Sequence, residues 1–292
     1  MTKSVRLPAN AGPSDLALSG DGELWVTEAP LGAVARVTTV GTVTQFRIPG
    51  SSNDPSGILS GPDGKMWFVG FEVIGKVDDT GSMTGWEGTA PGLPNAITLG
   101  PDGAVWYTNG GLGNASISRV TDEGGPVTTA VLPKDIEFPA RGITEGPDGS
   151  SVWFSELSPG YGKDSIGRVG TDSRYSKWSL PQGTVPQSIT SGPDDAVWFT
   201  TRTGIGRITS SGRITIYRVG HDKRPTDITT GPGGALWFTT PTRVGRITIG
   251  GKITLWSVPG AKSLNTIIPA AGSGFWLTDR DAAVIHRIQT PR

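Results

Sequence analysis

The stretch ITTGPGGALWFTT, Ile228 to Thr240, decides the fold because the chain repeats it. ILSGPDGKMWFVG runs from Ile58 to Gly70, ITLGPDGAVWYTN from Ile97 to Asn109, ITEGPDGSSVWFSE from Ile143 to Glu156 and ITSGPDDAVWFTT from Ile189 to Thr201. Working outward, the tryptophan of each copy belongs to a series of seven: Trp25, Trp67, Trp106, Trp153, Trp198, Trp237 and Trp276. Neighbours in the series lie 39 to 47 residues apart. A period of about 40 residues running from end to end marks a repeat architecture. Residues 1–292 are therefore read as a single domain of seven units rather than two ordinary domains.

Each unit reads as four short strands, in blade 6 around "DIT", "LWFT", "VGRIT" and "ITLWSVP". β-Branched and aromatic residues fill the strands, while Gly, Pro and Asp fill the joints, as pleated sheets and tight turns require. The proline of GPDG presets φ for a turn, and the glycine after it accepts φ > 0, so strands 1 and 2 form an antiparallel hairpin. Seven four-stranded units predict an all-β, seven-bladed β-propeller. The chain ends on a third strand, VIHRIQT, while KSVRLP at Lys3 to Pro8 resembles the fourth strands TQFRIP and TLWSVP. The N-terminal strand is thus expected to close the last blade, which removes an open sheet edge.

Charge and composition exclude several functions. Twenty-six basic and twenty-six acidic residues give zero formal net charge without long runs, so neither a nucleic-acid footprint nor a basic membrane patch is expected. With no cysteine, thiolate catalysis and Cys-based zinc sites are out, and two histidines exclude a multi-histidine metal cage. The start, MTKSVRLPAN, carries no apolar signal segment, and a cytoplasmic monomer is the expectation.

The motifs GPDGxxWFTE, IGRIT and PxxIT, repeated over the whole chain, resemble the virginiamycin B lyase (streptogramin lyase) family. The resemblance implies a seven-bladed propeller that opens a cyclic depsipeptide by elimination, with a magnesium ion at the site. It also implies a catalytic Tyr in blade 1, a His in blade 6, and a Glu, a His and a further Glu in blade 7. The matching positions carry Ser14 in GPSD, Thr226 in RPTDIT, Ser263 and Asn265 in KSLNTI, and Arg280, or Asp279 with a one-residue shift, in WLTDRD. Genuine streptogramin B lyase activity is therefore not expected.

In a propeller, the loops joining strand 4 to strand 1 and strand 2 to strand 3 open on one face around a central channel. Two repeat positions are expected to sample that mouth. At the position that follows the proline of PxxI, Pro in five blades and Ala140 or Leu264 in blades 4 and 7, come Ser14, Ser56, Asn95, Arg141, Gln187, Thr226 and Asn265; three residues after each Trp come Glu28, Gly70, Asn109, Glu156, Thr201, Thr240 and Asp279. The next position along is Gly57, Ala96, Gly142, Ser188 and Thr266 in five blades, but Asp15 in blade 1 and Asp227 in blade 6. These two blades flank blade 7, which lacks GPDG and carries TDRD at Thr278 to Asp281. Crowded carboxylates in a concave mouth shift one another's pKa upward, serve as acid or base, or take a divalent cation through oxygen.

Asp15, Asp227, Asp279 and Arg280 are accordingly the candidate catalytic residues. Ser14, Glu28, Asn95, Arg141, Glu156, Tyr161, Gln187, Thr226 and Asn265 are the candidate substrate contacts. Long insertions beside blade 4 add Tyr161, Phe138 and Ile136 as an expected apolar wall. His221, in a mouth loop, is a further candidate base, and His286 reads as packing. Three readings stay open: an enzyme working by elimination, cyclisation or rearrangement on a natural-product-type metabolite, a non-catalytic antibiotic-binding propeller, and a protein-interaction scaffold. A small-molecule substrate or ligand is the partner expected. Apart from the magnesium implied by the resemblance, no cofactor is indicated.

Overall fold

A computed structural model describes residues 3–50, 54–87, 93–110, 115–121, 125–133, 141–158, 163–220 and 223–290. Seven four-stranded antiparallel sheets form the blades of a propeller. Their innermost strands follow one another round the axis, and that of blade 7 packs on that of blade 1. Blade 6 shows the pattern from inside outward: Ile228–Gly231, Ala235–Thr240, Arg243–Thr248 and Ile253–Ser257. Blade 7 consists of Leu264–Pro269, Phe275–Asp279 and Val284–Ile288, and its outermost strand is Lys3–Arg6. Ser4 pairs with His286 and Val5 with Ile285, so the first strand of the chain completes the last blade.

The repeat has a physical reason at each position. Trp67, Trp106, Trp153, Trp198 and Trp237 are fully buried, each on strand 2 of its blade. In blade 6, Trp237 stacks on Trp256 of strand 4, with ring centroids 5.7 Å apart. Trp25–Phe46, Trp67–Trp86, Trp153–Trp178 and Trp198–Tyr217 repeat the stack, which accounts for the aromatic in ITxW. The aspartate of GPDG faces the opposite way from the mouth. Asp63 accepts from Trp67 Nε1 at 2.9 Å and pairs with Lys76 at 2.8 Å, while Asp194 does the same with Trp198 and Arg207. The turn glycine between strands 3 and 4 packs flat on the aromatic of the preceding blade. A Cβ on Gly251, whose φ is +88°, would lie 2.2 Å from the Tyr217 ring.

Blade 7 departs from this pattern where its sequence departs. It has Leu277 where blades 2, 4, 5 and 6 carry a strand-2 Phe, and His286 where those blades carry the paired glycine. Elsewhere the two are coupled sterically: a Cβ on Gly245 would lie 2.1 Å from the Phe238 ring. Shortening Phe to Leu makes the room that the imidazole fills.

Candidate functional site

Strand 2 of most blades carries a hydroxyl two residues after its Trp, and that hydroxyl shapes the channel wall. Thr27, Thr108, Ser155, Thr200, Thr239 and Thr278 accept the backbone N–H of Asp15, Ala96, Gly142, Ser188, Asp227 and Thr266 at 2.8 to 3.2 Å. Each bond ties the start of the inner strand to strand 2. In blades 1, 2, 3 and 7 the register also shifts here, at Pro13/Leu16, Pro55/Gly57, Pro94/Ile97 and Leu264/Ile267. A bulge re-aims the side chains at its position. Here they turn toward the axis and the neighbouring blade.

The wall encloses a cavity of about 920 Å³ at the channel mouth. It is lined by Ser14, Asn95, Arg141, Gln187, Thr226 and Asn265, as the sequence expectation placed them, and by Asp15, Asp227 and Arg280. Phe71, Leu93, Pro94 and Leu157 add an apolar rim on the side of blades 2 to 4. Phe71 and Leu93 are 42% and 40% exposed, unusual for large apolar side chains that serve only packing. Polar groups set in a partly apolar concavity are what a ligand of intermediate polarity needs.

Asp15 and Asp227 reach sideways as well as inward. Asp15 Oδ1 accepts from Leu16 N at 2.8 Å, and its Oδ2 accepts from Ile58 N of blade 2 at 3.0 Å. Asp227 Oδ2 accepts from Ile267 N of blade 7 at 2.8 Å, and its Oδ1 accepts from the Ser188 hydroxyl of blade 5. Each carboxylate therefore clasps adjacent inner strands while remaining part of the channel wall. Desolvation by the surrounding protein raises Asp15 to about 7, opposed by the Ile58 hydrogen bond and reinforced by the charge of Asp227. Desolvation likewise raises Asp227, against the bonds from Ser188 and Ile267. Blade 7 lies between the two acids, and Thr266 Oγ1 closes the ring by donating to Ser14 O at 2.8 Å.

The second expected set does not line the cavity. Glu28, Glu156 and Asp279 are fully buried behind the inner strands. The end of strand 2 is enclosed by its neighbours, and the acids there are bonded by nearby side chains and by backbone N–H groups of adjoining loops. Glu28 accepts from Gln45, and burial raises its pKa. Glu156 accepts from Ser165 and, at 2.7 Å, from Tyr175. Asp279 accepts from Lys262 N, Ser263 N and Ala282 N at 2.8, 3.0 and 3.2 Å and lies 3.4 Å from His286 Nε2. The expectation that Asp279 faces the channel is thus corrected. Tyr161, Phe138, Ile136 and His221 lie outside the described residues.

Ser188 and Thr266 went unrecognised in the sequence as partners of the two acids. Their signal was a hydroxyl where other blades have Gly or Ala. Gly142 shows why not every blade carries an acid here, because a Cβ would lie 2.7 Å from Gln187 O. The magnesium implied by the resemblance finds no matching donor set. Both channel carboxylates turn their oxygens to N–H and O–H donors, and among the described residues no three Asp, Glu or His side chains converge on one point. These residues do not fit a resident magnesium ion.

A sequence profile of the virginiamycin B lyase family matches residues 1–182 and 161–291. A virginiamycin B lyase of Nocardia farcinica is 29% identical over 191 residues, 65% of this chain. That alignment spans 63% of the Nocardia protein, less than two thirds of its length. The crystal structure of selenomethionine-substituted virginiamycin B lyase from Staphylococcus aureus superposes with a TM-score of 0.88 at 28% identity, covering 100% of this chain and 99% of that one. A catalytically inactive histidine-to-alanine variant of the S. aureus lyase, with quinupristin, superposes equally well at 27% identity and the same coverage.

Proposed function

The chain belongs to the virginiamycin B lyase family, and we propose that it is an enzyme acting on a medium-sized, natural-product-type metabolite by elimination, cyclisation or rearrangement without hydrolysis. The observation that carries this reading is Asp15, a carboxyl raised to about 7 in the wall of the mouth cavity. A proton-transfer group works best when its pKa lies near the working pH. Desolvation and the charge of Asp227 bring an ordinary aspartate into that range. The residues described along the cavity include no histidine, and none of the serine or threonine hydroxyls there is paired with a histidine base. Nucleophilic hydrolysis therefore lacks its usual pair.

In an elimination, Asp15 takes the proton from a carbon next to a carbonyl. The C–H electron pair becomes the new C=C bond, the C–O bond beyond it breaks, and the oxygen leaves as a carboxylate. Arg280 and Arg141 at the mouth supply positive charge for that carboxylate. The apolar rim of Phe71, Leu93 and Pro94 takes the greasy part of the molecule. For a cyclisation or rearrangement the same cavity need only hold a near-attack conformer.

The test is incubation with quinupristin, the molecule in the S. aureus structure, and with a panel of macrocyclic esters, read by liquid chromatography and mass spectrometry. With Ser14 and Thr226 where the family resemblance implies Tyr and His, quinupristin is expected back unchanged. A turned-over macrocycle shifts in retention at constant mass. A product heavier by one water would sink the non-hydrolytic reading. Asp15→Asn is expected to remove turnover. A second reading, a binder that has lost chemistry, is favoured by the structural use of both carboxylates; it predicts tight ligand binding with every panel member recovered intact.

A further inference from the structure

The channel chemistry leaves one polar chain unused, at the seam of blade 7. Asp279 is fully buried and accepts three backbone N–H bonds. His286, 6% exposed, brings Nε2 to 3.4 Å from Asp279 Oδ2 and Nδ1 to 3.2 Å from the hydroxyl of Ser4. Ser4 sits on the outermost strand, is exposed, and stands directly opposite His286 in the sheet. The three residues come from opposite ends of the chain and from strands 2, 3 and 4 of one blade.

The order acid, imidazole, hydroxyl is that of a base-activated nucleophile. Asp279 offers only acceptor oxygens to the ring, so the neutral tautomer that satisfies both contacts carries its proton on Nε2. The lone pair of Nδ1 then faces the Ser4 hydroxyl, which donates to it. The roles of the two ring nitrogens are exchanged relative to the usual serine hydrolase, but the direction of proton flow is the same. The packing is specific to this blade. His286 stands directly opposite Leu277, a smaller residue than the strand-2 Phe of blades 2, 4, 5 and 6, and only blade 7 takes its fourth strand from the N-terminal segment.

We infer that Ser4 is a second reactive centre of this protein, a hydroxyl activated by His286 and oriented through Asp279, that accepts an acyl or phosphonyl group from an activated donor. In the step, Ser4 Oγ forms the new bond to the carbonyl carbon or phosphorus as the donor's leaving-group bond breaks. The Ser4 proton passes to His286 Nδ1 and from there to the leaving group or to water. Ser4 lies on the outermost strand of the blade, away from the mouth cavity, so a donor reaches it directly from solvent. Ser4 is the nucleophile; Asp279 is a positioning residue.

The experiment is labelling of the full-length protein with a fluorophosphonate probe, the adduct located by peptide mass spectrometry. The expected result is one adduct on Ser4, with fluoride released, forming at least tenfold faster in native protein than in protein held unfolded by denaturant. Ser4→Ala removes the adduct without changing the melting curve. His286→Gln slows it at least tenfold, and Asp279→Asn slows it less, with recovery when Asp279 is replaced by Glu. Labelling of Ser4 at the same rate in native and unfolded protein, or no adduct on Ser4, overturns the inference, and neither comparison requires a variant that folds. The channel reading is tested separately, because Asp15→Asn leaves labelling of Ser4 untouched.

Discussion

The carboxylate of Asp15 accepts the backbone N–H of Ile58 at 3.0 Å, across the boundary between blades 1 and 2. One side chain thus ties the ring together and carries a titratable proton at the channel wall. In the unfolded chain Asp15 titrates near 3.8, and in the folded channel near 7. Between those values the folded state holds the extra proton, so stability falls as the pH rises from about 4 to about 7 and is level above. Asp15→Asn cannot ionise and should remove this slope while keeping one acceptor for the strand. Melting temperatures from pH 4 to pH 8 measure the effect; identical profiles for the two proteins would contradict the assignment of Asp15.

Asp227 makes the corresponding clasp on the other side of blade 7, to Ile267 N and the Ser188 hydroxyl. Replacing it with Ala leaves both donors facing a void. We expect a loss of about 1–3 kcal/mol in chemical denaturation, the cost of orphaning a buried donor. Asp227→Asn, which retains one acceptor, should lose less. An alanine variant as stable as the parent would remove Asp227 from the ring's polar framework.

Two glycines at the same repeat position should respond differently. A Cβ on Gly142 meets the Gln187 carbonyl at 2.7 Å, whereas one on Gly57 meets Ile97 and Val69 methyls at 3.1 and 3.2 Å and the Asn95 carbonyl only at 3.3 Å. Backbone cannot rotate away as a methyl can. Gly142→Ala is therefore expected to destabilise by about 1–3 kcal/mol and Gly57→Ala by distinctly less, as read from denaturation midpoints.

The seam has its own test. Removing residues 1–9 deletes the fourth strand of blade 7 and the buried Val5 and Leu7. It leaves Val284–Ile288 as an unpaired edge. The melting temperature should fall by on the order of ten degrees and the protein should aggregate at lower temperature. An unchanged melt would mean that this pairing contributes nothing to the fold.

The apolar rim is expected to act in binding alone. Phe71→Ser and Leu93→Ser remove exposed hydrophobic surface, so stability should stay within about 0.5 kcal/mol. Affinity for any ligand found in the panel should drop on the order of tenfold. Equal affinity would place the ligand elsewhere in the channel.

The propeller was legible in the sequence because its cause is periodic: Trp, the GPDG turn and the strand-4 aromatic each solve a packing problem that recurs in nearly every blade. The closure was legible because Lys3 to Pro8 spells a fourth strand that the last blade lacks. The channel residues could be found by asking where the repeat breaks, which singled out Asp15 and Asp227. The burial of Glu28, Glu156 and Asp279 could not be read the same way. A polar residue at a strand end looks the same in sequence whether it meets water or a buried partner, and the partners here, Gln45, Tyr175 and His286, follow no shared spacing. The clasps were hidden for a related reason, since the acceptor and its donor, Asp15 and Ile58 or Asp227 and Ile267, belong to different repeats.

The pairing of Ser4 with His286 also bears on how the molecule is made. Their contact spans 282 positions, so during synthesis the strand Lys3–Arg6 waits for its partner while the blades between them are laid down. Six blades can assemble from neighbouring hairpins as they appear; the seventh cannot finish until Val284–Ile288 has been made. Throughout that interval both an unmatched strand and an unfinished ring stay open to other chains, which places the hazard of misassembly at the closure of the seventh blade.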